Sequence, residues 1–554
     1  MYKIKAVSAM EKIMTYDTFD TYASIKALRG LKGERISFQI QIGFFSEGEE
    51  KYARQRGFYT LRSPLRPYAH ISRVGDIPVA LAAYSERSCE DYISKAPGFF
   101  PDVLYPLAAK ELFYWNCYSP TALMVTIDIP KDMEAGCYPL YFTFTQDNGK
   151  KHSLKVEIQI ENLAIKENDL LFTQWLHCDS IADFHGAKMM SKKHWKLIEN
   201  YIKTAARTGI TMLLTPLFTP PLDTAIGAER PTMQLIGVKK SGETYTFDFS
   251  LLEKWVALCR QYGIQYFELS HLFTQWGVAY CPKILVEIEG KQVKEFGWHT
   301  DAMGAAYQNF LSQFLPALTK KLRAMGIAEK CYFHISDEPK STREGDYENY
   351  LAAKNFIKPY IEGFKLIDAL SNIEFFENGL IDIPVCKTNG LEPFLEADIK
   401  ERWCYYCCSQ GQEVSNRFLA MPSYRTRILG AQLFLYDMVG FLHWGYNFYY
   451  SEHSHYKINP YASADGMMTW PAGDPFSVYP YKDGAIESIR TVIFYQALQD
   501  RMLLKMLAEK IGLEEAKKWV HQQAEMTLTF KQYPRNKEFL ETLHDKIIDR
   551  LIHE

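Results

Sequence analysis

Strand-like and helix-like segments alternate between about residue 170 and residue 510, and this alternation restricts the possible folds most strongly. Apolar runs of strand length occupy residues 171–178, 210–216, 264–271, 331–337, 364–369, 383–387, 402–407 and 439–445. Helical patterns follow most of them, for example over residues 192–207 and 301–325. Eight such units predict a (β/α)8 barrel with enlarged loops, in which the sixth strand is the weakest.

The first part of the chain has a two-residue period instead. Ile36, Phe38 and Ile40 alternate with polar residues, and residues 123–129 repeat this pattern. Because no long amphipathic helix interrupts the region, we predict an antiparallel β-sandwich. The predicted fold class is therefore α/β plus all-β. Its parts are an N-terminal β-sandwich (residues 1–165), a (β/α)8 TIM-like barrel (residues 166–510) and a C-terminal helical extension (residues 511–554).

Length and charge limit the classes of partner. A chain of 554 residues is too long for one compact core and suggests two or three domains. The net charge of −3 gives no reason to expect nucleic acid or an anionic membrane as a partner. We see neither a secretory signal at the N-terminus nor an apolar run long enough to cross a bilayer, so a cytoplasmic location is expected. The sequence leaves the oligomeric state open.

The cysteines include one pattern that is typical of metal or redox sites. Cys404, Cys407 and Cys408 contain a Cys-x-x-Cys within the eleven cysteines of the chain. A second ligand pair at suitable spacing is missing, and the segment has the pattern of a strand. Reduced thiols in a cytoplasmic protein explain the count better. We predict no metal site and no organic cofactor.

The fourth strand-like run ends on two adjacent carboxylates, Asp337 and Glu338, followed by Pro339. Since proline has no amide hydrogen to give a neighbouring strand, the strand must end near this point. The acids would then lie at the carboxyl end of a barrel strand, where barrel enzymes carry their chemistry. A helix N-terminus explains the same three residues equally well, because acids are favoured in first turns and proline at the first helical position.

Aromatic and polar side chains follow several of the other strand-like runs and would share the same barrel mouth. We predict that Asp223, Arg230, His271, Trp276, Tyr406, Trp444 and Trp470 bind the substrate. Rings that stack on flat apolar faces, together with polar groups for hydroxyls, are typical of a sugar pocket. Any one of these residues is more often structural. Glu229 and Arg230 could instead pair with each other and brace their loop.

The adjacent acids favour a particular mechanism of glycoside hydrolysis. Conventional glycosidases place two carboxyl groups about 5 to 9.5 Å apart across the scissile bond, which neighbouring residues cannot easily do. The seventh strand carries no carboxylate at its end. This absence favours a substrate that supplies its own nucleophile, the 2-acetamido oxygen of an N-acetylhexosamine. Asp337 would hold the acetamide in its ionised form, and Glu338, with a raised pKa, would act as acid and then as base. A two-carboxylate hydrolase with Glu413 or Glu377 as nucleophile is the alternative.

Several stretches resemble glycoside hydrolase family 123. They are residues 175–179 (WLHCD), 214–224 (LTPLFTPPLDT), 334–339 (HISDEP) and 473–480 (GDPFSVYP), and they occur in the order of that family. The resemblance implies a retaining exo-β-N-acetylgalactosaminidase that cleaves terminal β-linked GalNAc by substrate assistance. It also implies that the family's catalytic pair falls on Asp337 and Glu338. Two alternatives stay open: a β-N-acetylglucosaminidase of the same mechanism, and a non-catalytic carbohydrate-binding barrel.

Overall fold

The computed structural model describes residues 2–44, 54–116, 119–275, 277–341 and 343–553. Two β-sheets form the N-terminal part, and a closed eight-stranded barrel follows within these described ranges. The predicted fold class, a β-sandwich before a (β/α)8 barrel with a helical tail, is confirmed. The domain boundaries placed after residues 165 and 510 stay predictions.

The sandwich consists of two sheets of five strands each in the described part of the chain. Its strands are β1 (Tyr2–Ser8), β2 (Ala27–Lys32), β3 (Arg35–Phe44), β4 (Arg54–Arg62), β5 (Ala69–Val79), β6 (Gly98–Pro106), β7 (Phe113–Asn116), β8 (Thr121–Asp128), β9 (Gly136–Gln146) and β10 (Lys151–Ala164). The sheet orders are β1-β3-β8-β5-β6 and β2-β10-β9-β4-β7, and β2 pairs with β10 in parallel. Phe38 and Ile40 from one sheet share an apolar core with Phe142 and Val156 from the other.

The polar positions of β3 are buried as well. Gln39 is fully buried, and its side-chain amide donates to the carbonyl oxygens of Ala9 at 3.2 Å and Glu11 at 2.6 Å. The segment after β1 therefore covers the second face of the sheet and satisfies its polar groups, as burial requires. The two-residue period correctly indicates a strand here, but it does not mark a solvent-exposed face.

The barrel strands and the strands of the long loops follow in chain order. They are β11 (Leu171–Gln174), β12 (Met212–Thr215), β13 (Gly237–Ser241), β14 (Thr244–Asp248), β15 (Tyr266–Leu269), β16 (Ile284–Ile288), β17 (Lys291–Phe296), β18 (Cys331–Phe333), β19 (Lys365–Leu370), β20 (Ile383–Lys387), β21 (Arg402–Tyr405), β22 (Met438–His443), β23 (Tyr479–Tyr481) and β24 (Gly484–Ile486). The barrel order is β11-β12-β15-β18-β19-β20-β21-β22, and parallel pairing of β22 with β11 closes it. All eight predicted strand positions are confirmed, including the weak sixth, β20.

The interior of the barrel is filled by side chains from alternate positions. Met212 and Leu214, Ile383 and Val385, and also Trp403 and Tyr405, belong to one buried cluster inside it. The intervening side chains, such as Cys404, pack outward into the core beneath the helices. Both faces of the barrel strands are thus largely apolar, as expected for a parallel sheet covered by helices.

Helices surround the barrel and continue into the tail. They are α1 (Cys178–His185), α2 (Lys192–Arg207), α3 (Ser250–Gln261), α4 (Ala305–Ala324), α5 (Asp346–Ile357), α6 (Glu374–Glu377), α7 (Glu392–Glu396), α8 (Tyr424–Arg427), α9 (Leu429–Leu435), α10 (Ile489–Ile511), α11 (Leu513–Ala524) and α12 (Lys537–His553). Ser191 caps α2 by accepting the amide hydrogen of His194 at 3.2 Å. None of the helices in the described part is long and apolar enough to cross a membrane.

A buried ion pair joins the sandwich to the barrel. Asp102 of β6 accepts hydrogen bonds from the Arg490 guanidinium of α10, at 2.8 Å from Nη2, and from the Tyr479 hydroxyl at 2.7 Å. Neither partner of the ion pair is accessible to solvent. Removal of one partner from such a pair typically costs about 3–5 kcal/mol, because the other charge stays buried. The contact fixes the sandwich against the last barrel helix.

Candidate active site

The loop after β18 carries the two adjacent acids. The strand ends at Phe333, and the next helix, α5, begins only at Asp346, with Gly345 as its N-cap. Asp337 and Glu338 therefore belong to a loop at the carboxyl end of a barrel strand. The alternative interpretation, a helix N-terminus at these residues, is wrong.

A cavity of about 220 Å³ opens at this end of the barrel. It is lined by Trp175, His177, Leu222, Asp223, Gln275, Asp337, Glu338, Ala369, Tyr405, Cys407, Cys408, Leu442, Trp444, Phe448, Glu452, His453 and Trp470. Sites for drug-sized ligands usually measure roughly 300–1,000 Å³. The smaller volume suits a ligand of about one sugar ring.

Glu338 is held by both its backbone and its carboxylate. Its φ of 45° lies in the left-handed region, which non-glycine residues adopt rarely and at a cost of about 1–3 kcal/mol. The Tyr405 hydroxyl, from the end of β21, donates to Glu338 Oε1 at 2.7 Å. Such backbone strain is characteristic of functional sites. The side chain is thus oriented before any ligand binds.

The pKa of Asp337 is raised well above its usual range, first by burial and then by the adjacent Glu338 carboxylate. The sequence-based hypothesis took this residue to be ionised and placed the raised pKa on its neighbour. The direction of this pKa change favours a protonated Asp337, opposite to the ionised form that the hypothesis assumed. Interacting carboxyl groups titrate as a coupled pair, and a proton held by such a pair can serve acid catalysis.

A buried charged layer lies beneath the pair, inside the barrel. His334 is hydrogen-bonded through Nδ1 to Asp368 Oδ1 at 2.7 Å and through Nε2 to Glu268 Oε1 at 2.7 Å. Burial lowers the pKa of His334, but the two carboxylates outweigh it and raise the pKa to about 10. The ring is therefore an imidazolium that donates from both nitrogens. Trp175 Nε1 also donates to Glu268 at 2.7 Å, and the Tyr350 hydroxyl donates to Asp368.

Three aromatic rings form one wall of the cavity. Trp444 meets Phe448 at a centroid distance of 5.1 Å and Trp470 at 5.2 Å, both edge to face. Trp444 Nε1 donates to Asp474 at 2.9 Å, which fixes the orientation of the indole. Burial raises the pKa of Asp474 to about 7. The wall offers the rigid apolar surface on which a sugar face can stack.

Another part of the cavity lining comes from the loop after β12 and from the segment after β22. Asp223 has a φ of 40° and accepts the backbone amide of His453 at 3.0 Å, while Ser454 donates to the Asp223 carbonyl at 2.6 Å. Burial raises the pKa of Asp223 to about 6, although His453 counteracts it. Gln275 accepts the backbone amide of Asp223. The carboxylate is thus partly buried yet faces the cavity.

The structure divides the seven predicted binding residues into three groups. Asp223, Trp444 and Trp470 line the cavity, and their contact with the substrate stays a prediction. Trp276 lies outside the described residues. Arg230, His271 and Tyr406 are buried behind the cavity wall, so their positions do not support direct contact with a substrate.

Arg230, the first of these three buried residues, has a structural partner. Arg230 is 4% exposed and forms two hydrogen bonds to Asp179, at 2.6 and 2.7 Å, and it does not pair with Glu229. The predicted Glu229–Arg230 pair is therefore wrong, because Glu229 pairs with Lys283 and Lys294 instead.

His271 and Tyr406 are packed between other rings. The His271 ring lies 4.3 Å from the His334 ring, and burial lowers its pKa well below the usual value. Tyr406 points outward from the barrel and contacts Phe441 and His443 edge to face. His271 also packs against Trp175, which lines the cavity, but neither His271 nor Tyr406 lines it.

The prediction missed the residue that contacts the acid pair from the seventh strand. Side chains alternate along β21, so Trp403 and Tyr405 point inward while Cys404 and Tyr406 point outward. A strict two-residue count from Trp403 would have selected Tyr405. The prediction from the sequence also missed the charged layer of Glu268, His334 and Asp368.

The proposed alternative nucleophiles lie elsewhere. Glu377 ends the short helix α6 and Glu413 lies in the loop after β21, and both are exposed and absent from the cavity lining. The two-carboxylate mechanism through either residue is therefore wrong. Besides Asp337 and Glu338, the cavity is lined by the carboxylates of Asp223 and Glu452.

One group in the described part of the chain has the composition of a metal site. Ligand atoms of His271, His334 and Asp368 lie within 4.8 Å of one another. Both nitrogens of His334 already donate to carboxylates, so this ring has no lone pair for a cation. The residues do not fit a metal, and we assign none here.

Comparison with known proteins agrees with this geometry. The family model described as "Glycoside hydrolase 123, catalytic domain" matches residues 175–507, more than half of the chain. Among curated proteins, none matches the sequence. A solved family 123 glycoside hydrolase from Clostridium perfringens, studied for the details of glycolipid glycan hydrolysis, superposes with a TM-score of 0.71 at 15% identity. That match covers 100% of this chain and 97% of the other.

Two of the more distant structures are glycoside hydrolases. A GH5 xyloglucanase from Bacteroides ovatus has a TM-score of 0.31 at 8% identity, with 85% of this chain and 98% of that chain covered. A GH2 β-galacturonidase from Eisenbergiella tayi has a TM-score of 0.31 at 10% identity, with 90% and 71% covered. Similarity at this level carries no argument about this protein. The family match does, and the chain belongs to glycoside hydrolase family 123.

Proposed function

We propose that this glycoside hydrolase is a retaining exo-β-N-acetylgalactosaminidase that removes terminal β-linked GalNAc by substrate-assisted catalysis. The observation that carries the proposal is the position of the adjacent acids Asp337 and Glu338 in a cavity the size of one sugar. Neighbouring carboxyls cannot easily flank a glycosidic bond at the separation that the two-carboxylate mechanisms need. They can divide the work of a reaction whose nucleophile is the sugar's own acetamide.

The proposed reaction begins with proton transfer from Glu338 to the glycosidic oxygen. The acetamide carbonyl oxygen attacks the anomeric carbon as the leaving group departs, and an oxazolinium ion forms. Correct orientation of such an intramolecular attack lowers the barrier by roughly 7–11 kcal/mol. The Glu338 carboxylate then takes a proton from a water molecule. This water attacks the anomeric carbon and opens the oxazolinium ring. Two inversions give net retention.

Asp337 has the complementary role of holding the acetamide nitrogen. Before the substrate binds, its raised pKa favours the protonated form. An N–H donated by the substrate stabilises the ionised form instead and lowers this pKa. Substrate binding would therefore move the shared proton to Glu338, where the leaving oxygen needs it. The carboxylate of Asp337 then stabilises the positive charge that develops on the acetamide.

The choice of sugar depends on a single hydroxyl. GalNAc and GlcNAc differ in the configuration of this hydroxyl, which is a matter of one or two hydrogen bonds. Asp223, which lines the cavity, is a candidate acceptor for a sugar hydroxyl. The Clostridium perfringens relative was studied in glycolipid glycan hydrolysis, so glycolipid glycans are the first natural substrates to test.

The proposal is tested by the initial rates on 4-nitrophenyl β-glycosides of GalNAc, GlcNAc and galactose. We expect the highest kcat/KM for the GalNAc glycoside and essentially no hydrolysis of the galactoside, which lacks the acetamide. A higher rate on the GlcNAc glycoside would change the specificity but keep the mechanism. Efficient cleavage of the galactoside would instead indicate a protein nucleophile, for which Asp223 and Glu452 are the cavity carboxylates to replace.

A further inference from the structure

Two neighbouring thiols in the wall of the sugar cavity have no part in the reaction described above. Cys407 and Cys408 follow β21, and both line the cavity beside Glu338. Consecutive side chains of a strand point to opposite faces. Here the strand ends at Tyr405 and the chain turns at Cys408, so both thiols reach the same cavity.

Hydrogen bonds hold the backbone of this turn in place. The amide of Cys407 donates to Gln410 Oε1 at 2.8 Å, and its carbonyl accepts from Asn416 Nδ2 at 2.9 Å. The backbone at Cys407 is therefore held at both its amide and its carbonyl group.

The two neighbouring side chains also influence each other. A hydrogen bond with the Cys408 side chain, then burial, raises the pKa of Cys407 well above its usual value. Cys407 is therefore a thiol at neutral pH and reacts slowly with alkylating reagents, which need the thiolate.

We propose that Cys407 and Cys408 form a dithiol site for soft thiophilic ligands, with trivalent organic arsenicals as the ligand class, and that occupation of this site blocks the sugar cavity. Sulfur is the protein ligand that soft centres prefer. Two thiols on adjacent residues that line one cavity bind one centre with a high effective concentration for the second bond.

The reaction with phenylarsine oxide balances without an oxidant or reductant. Two As–S bonds form, the As–O bond and two S–H bonds break, and the oxygen leaves as water with both thiol protons. Arsenic stays trivalent throughout. The product is a ring that contains both sulfurs, so a monothiol cannot easily displace the arsenic, whereas a small dithiol can.

The matched control is Cys137, an exposed cysteine of β9 on the sandwich. A single exposed thiol forms an open adduct, which excess glutathione reverses. The other cysteines in the described ranges are half-buried Cys89 and a set of buried ones: Cys178, Cys259, Cys281, Cys331, Cys386 and Cys404.

The experiment treats the full-length protein with phenylarsine oxide and measures intact mass, adduct position and glycosidase rate. We expect one adduct per chain that maps to Cys407 and Cys408, survives excess glutathione and is removed by 2,3-dimercaptopropanol. The rate should fall at least tenfold with the adduct. Cys407→Ser and Cys408→Ser should each abolish the glutathione-resistant adduct, while Cys137→Ser should retain it. Thermal melting curves check that the variants fold.

A glutathione-resistant adduct in the Cys407→Ser/Cys408→Ser double variant, or no such adduct in the wild type, would overturn the site. Full activity at one adduct per chain would overturn the claim that it blocks the cavity. The blocking claim rests on the proposed function, but the mass measurement does not. A protein inactive on every acetamido sugar that still forms the mapped adduct would refute the function and leave the dithiol site intact.

Discussion

The barrel interior and the junction between the sandwich and the tail each bury a histidine against carboxylates. His334 lies between Glu268 and Asp368, and His544 of α12 is hydrogen-bonded to Glu34 of the sandwich at 2.7 Å. In both places the carboxylates outweigh burial and raise the pKa of the histidine to about 10.

The two imidazoliums differ in what lies next to them. Glu34 also accepts the Leu31 amide at 2.8 Å and a hydrogen bond from Gln499, so the His544 pair ties sandwich, barrel and tail together. The charge on His334 lowers the pKa of Asp337 and lies in the layer beneath the cavity. The same kind of ion pair thus stabilises the fold at the junction and, inside the barrel, lowers the pKa of an active-site acid.

The largest expected effects come from the acid pair above His334. Asp337→Asn should lower kcat/KM by roughly 10²–10³ on every substrate, because it removes the stabilisation of the developing acetamide charge. Glu338→Gln should lower it by about 10²–10⁴ on natural glycans, which need protonation of the leaving oxygen. Its effect on a nitrophenyl glycoside should be much smaller. The assignment fails if Asp337→Asn has normal activity or if the Glu338→Gln loss is independent of the leaving group.

Removal of each histidine separates the two regions. His334→Gln and His544→Gln should each lower the free energy of unfolding by about 3–5 kcal/mol, measured by urea denaturation, because carboxylates stay buried without their cation. Only His334→Gln should shift the pH profile of kcat/KM. The profile should move to higher pH, because loss of the positive charge raises the pKa of Asp337 further. An equal shift in His544→Gln would end the distinction between the two regions.

The adjacent tyrosines of strand β21 offer a smaller, local test. Tyr405→Phe should lower kcat about 10- to 100-fold, because it removes a hydrogen bond to the Glu338 carboxyl worth about 1.5–3 kcal/mol. Tyr406→Phe should stay within threefold, since its hydroxyl has no hydrogen-bond partner among the described residues. The comparison of kcat between the two variants shows which of the two tyrosine hydroxyls contributes to catalysis. Comparable losses would contradict the assignment.

Alkaline pH should weaken both histidine contacts gradually. Because the folded pKa of about 10 lies above the ordinary 6.5, the stabilisation is fully present below pH 6.5 and is lost as pH rises through about 10. Free energies of unfolding measured from pH 6.5 to 9.5 should fall more steeply in the wild type than in His334→Gln or His544→Gln. Parallel slopes in all three proteins would show that the histidines are neutral.

The sequence predicted the barrel well because its strands and helices have distinct periods and lengths. It also located Asp337 and Glu338, since a proline ends the strand near them. Which side chains of a strand point into the barrel was less predictable. Both faces of a barrel strand are apolar, so Tyr405 and Tyr406 look alike in the pattern.

The remaining errors involve partners that are distant in the sequence. Arg230 is hydrogen-bonded to Asp179, and His334 is hydrogen-bonded to Glu268 and Asp368. These contacts exist only once the chain has folded. Local pattern gives no sign of such pairs. A polar residue near a predicted mouth therefore has the same appearance whether it binds a ligand or braces a loop.

The central claim is that the attacking atom belongs to the substrate. The most direct measurement is kcat/KM on 4-nitrophenyl β-GalNAc substrates whose acetamide carries zero, one, two or three fluorines. If the acetamide oxygen is the nucleophile, each fluorine withdraws electron density from it, and the rate should fall steeply and progressively along the series. A rate that does not depend on the number of fluorines would contradict the account and require a nucleophile from the protein.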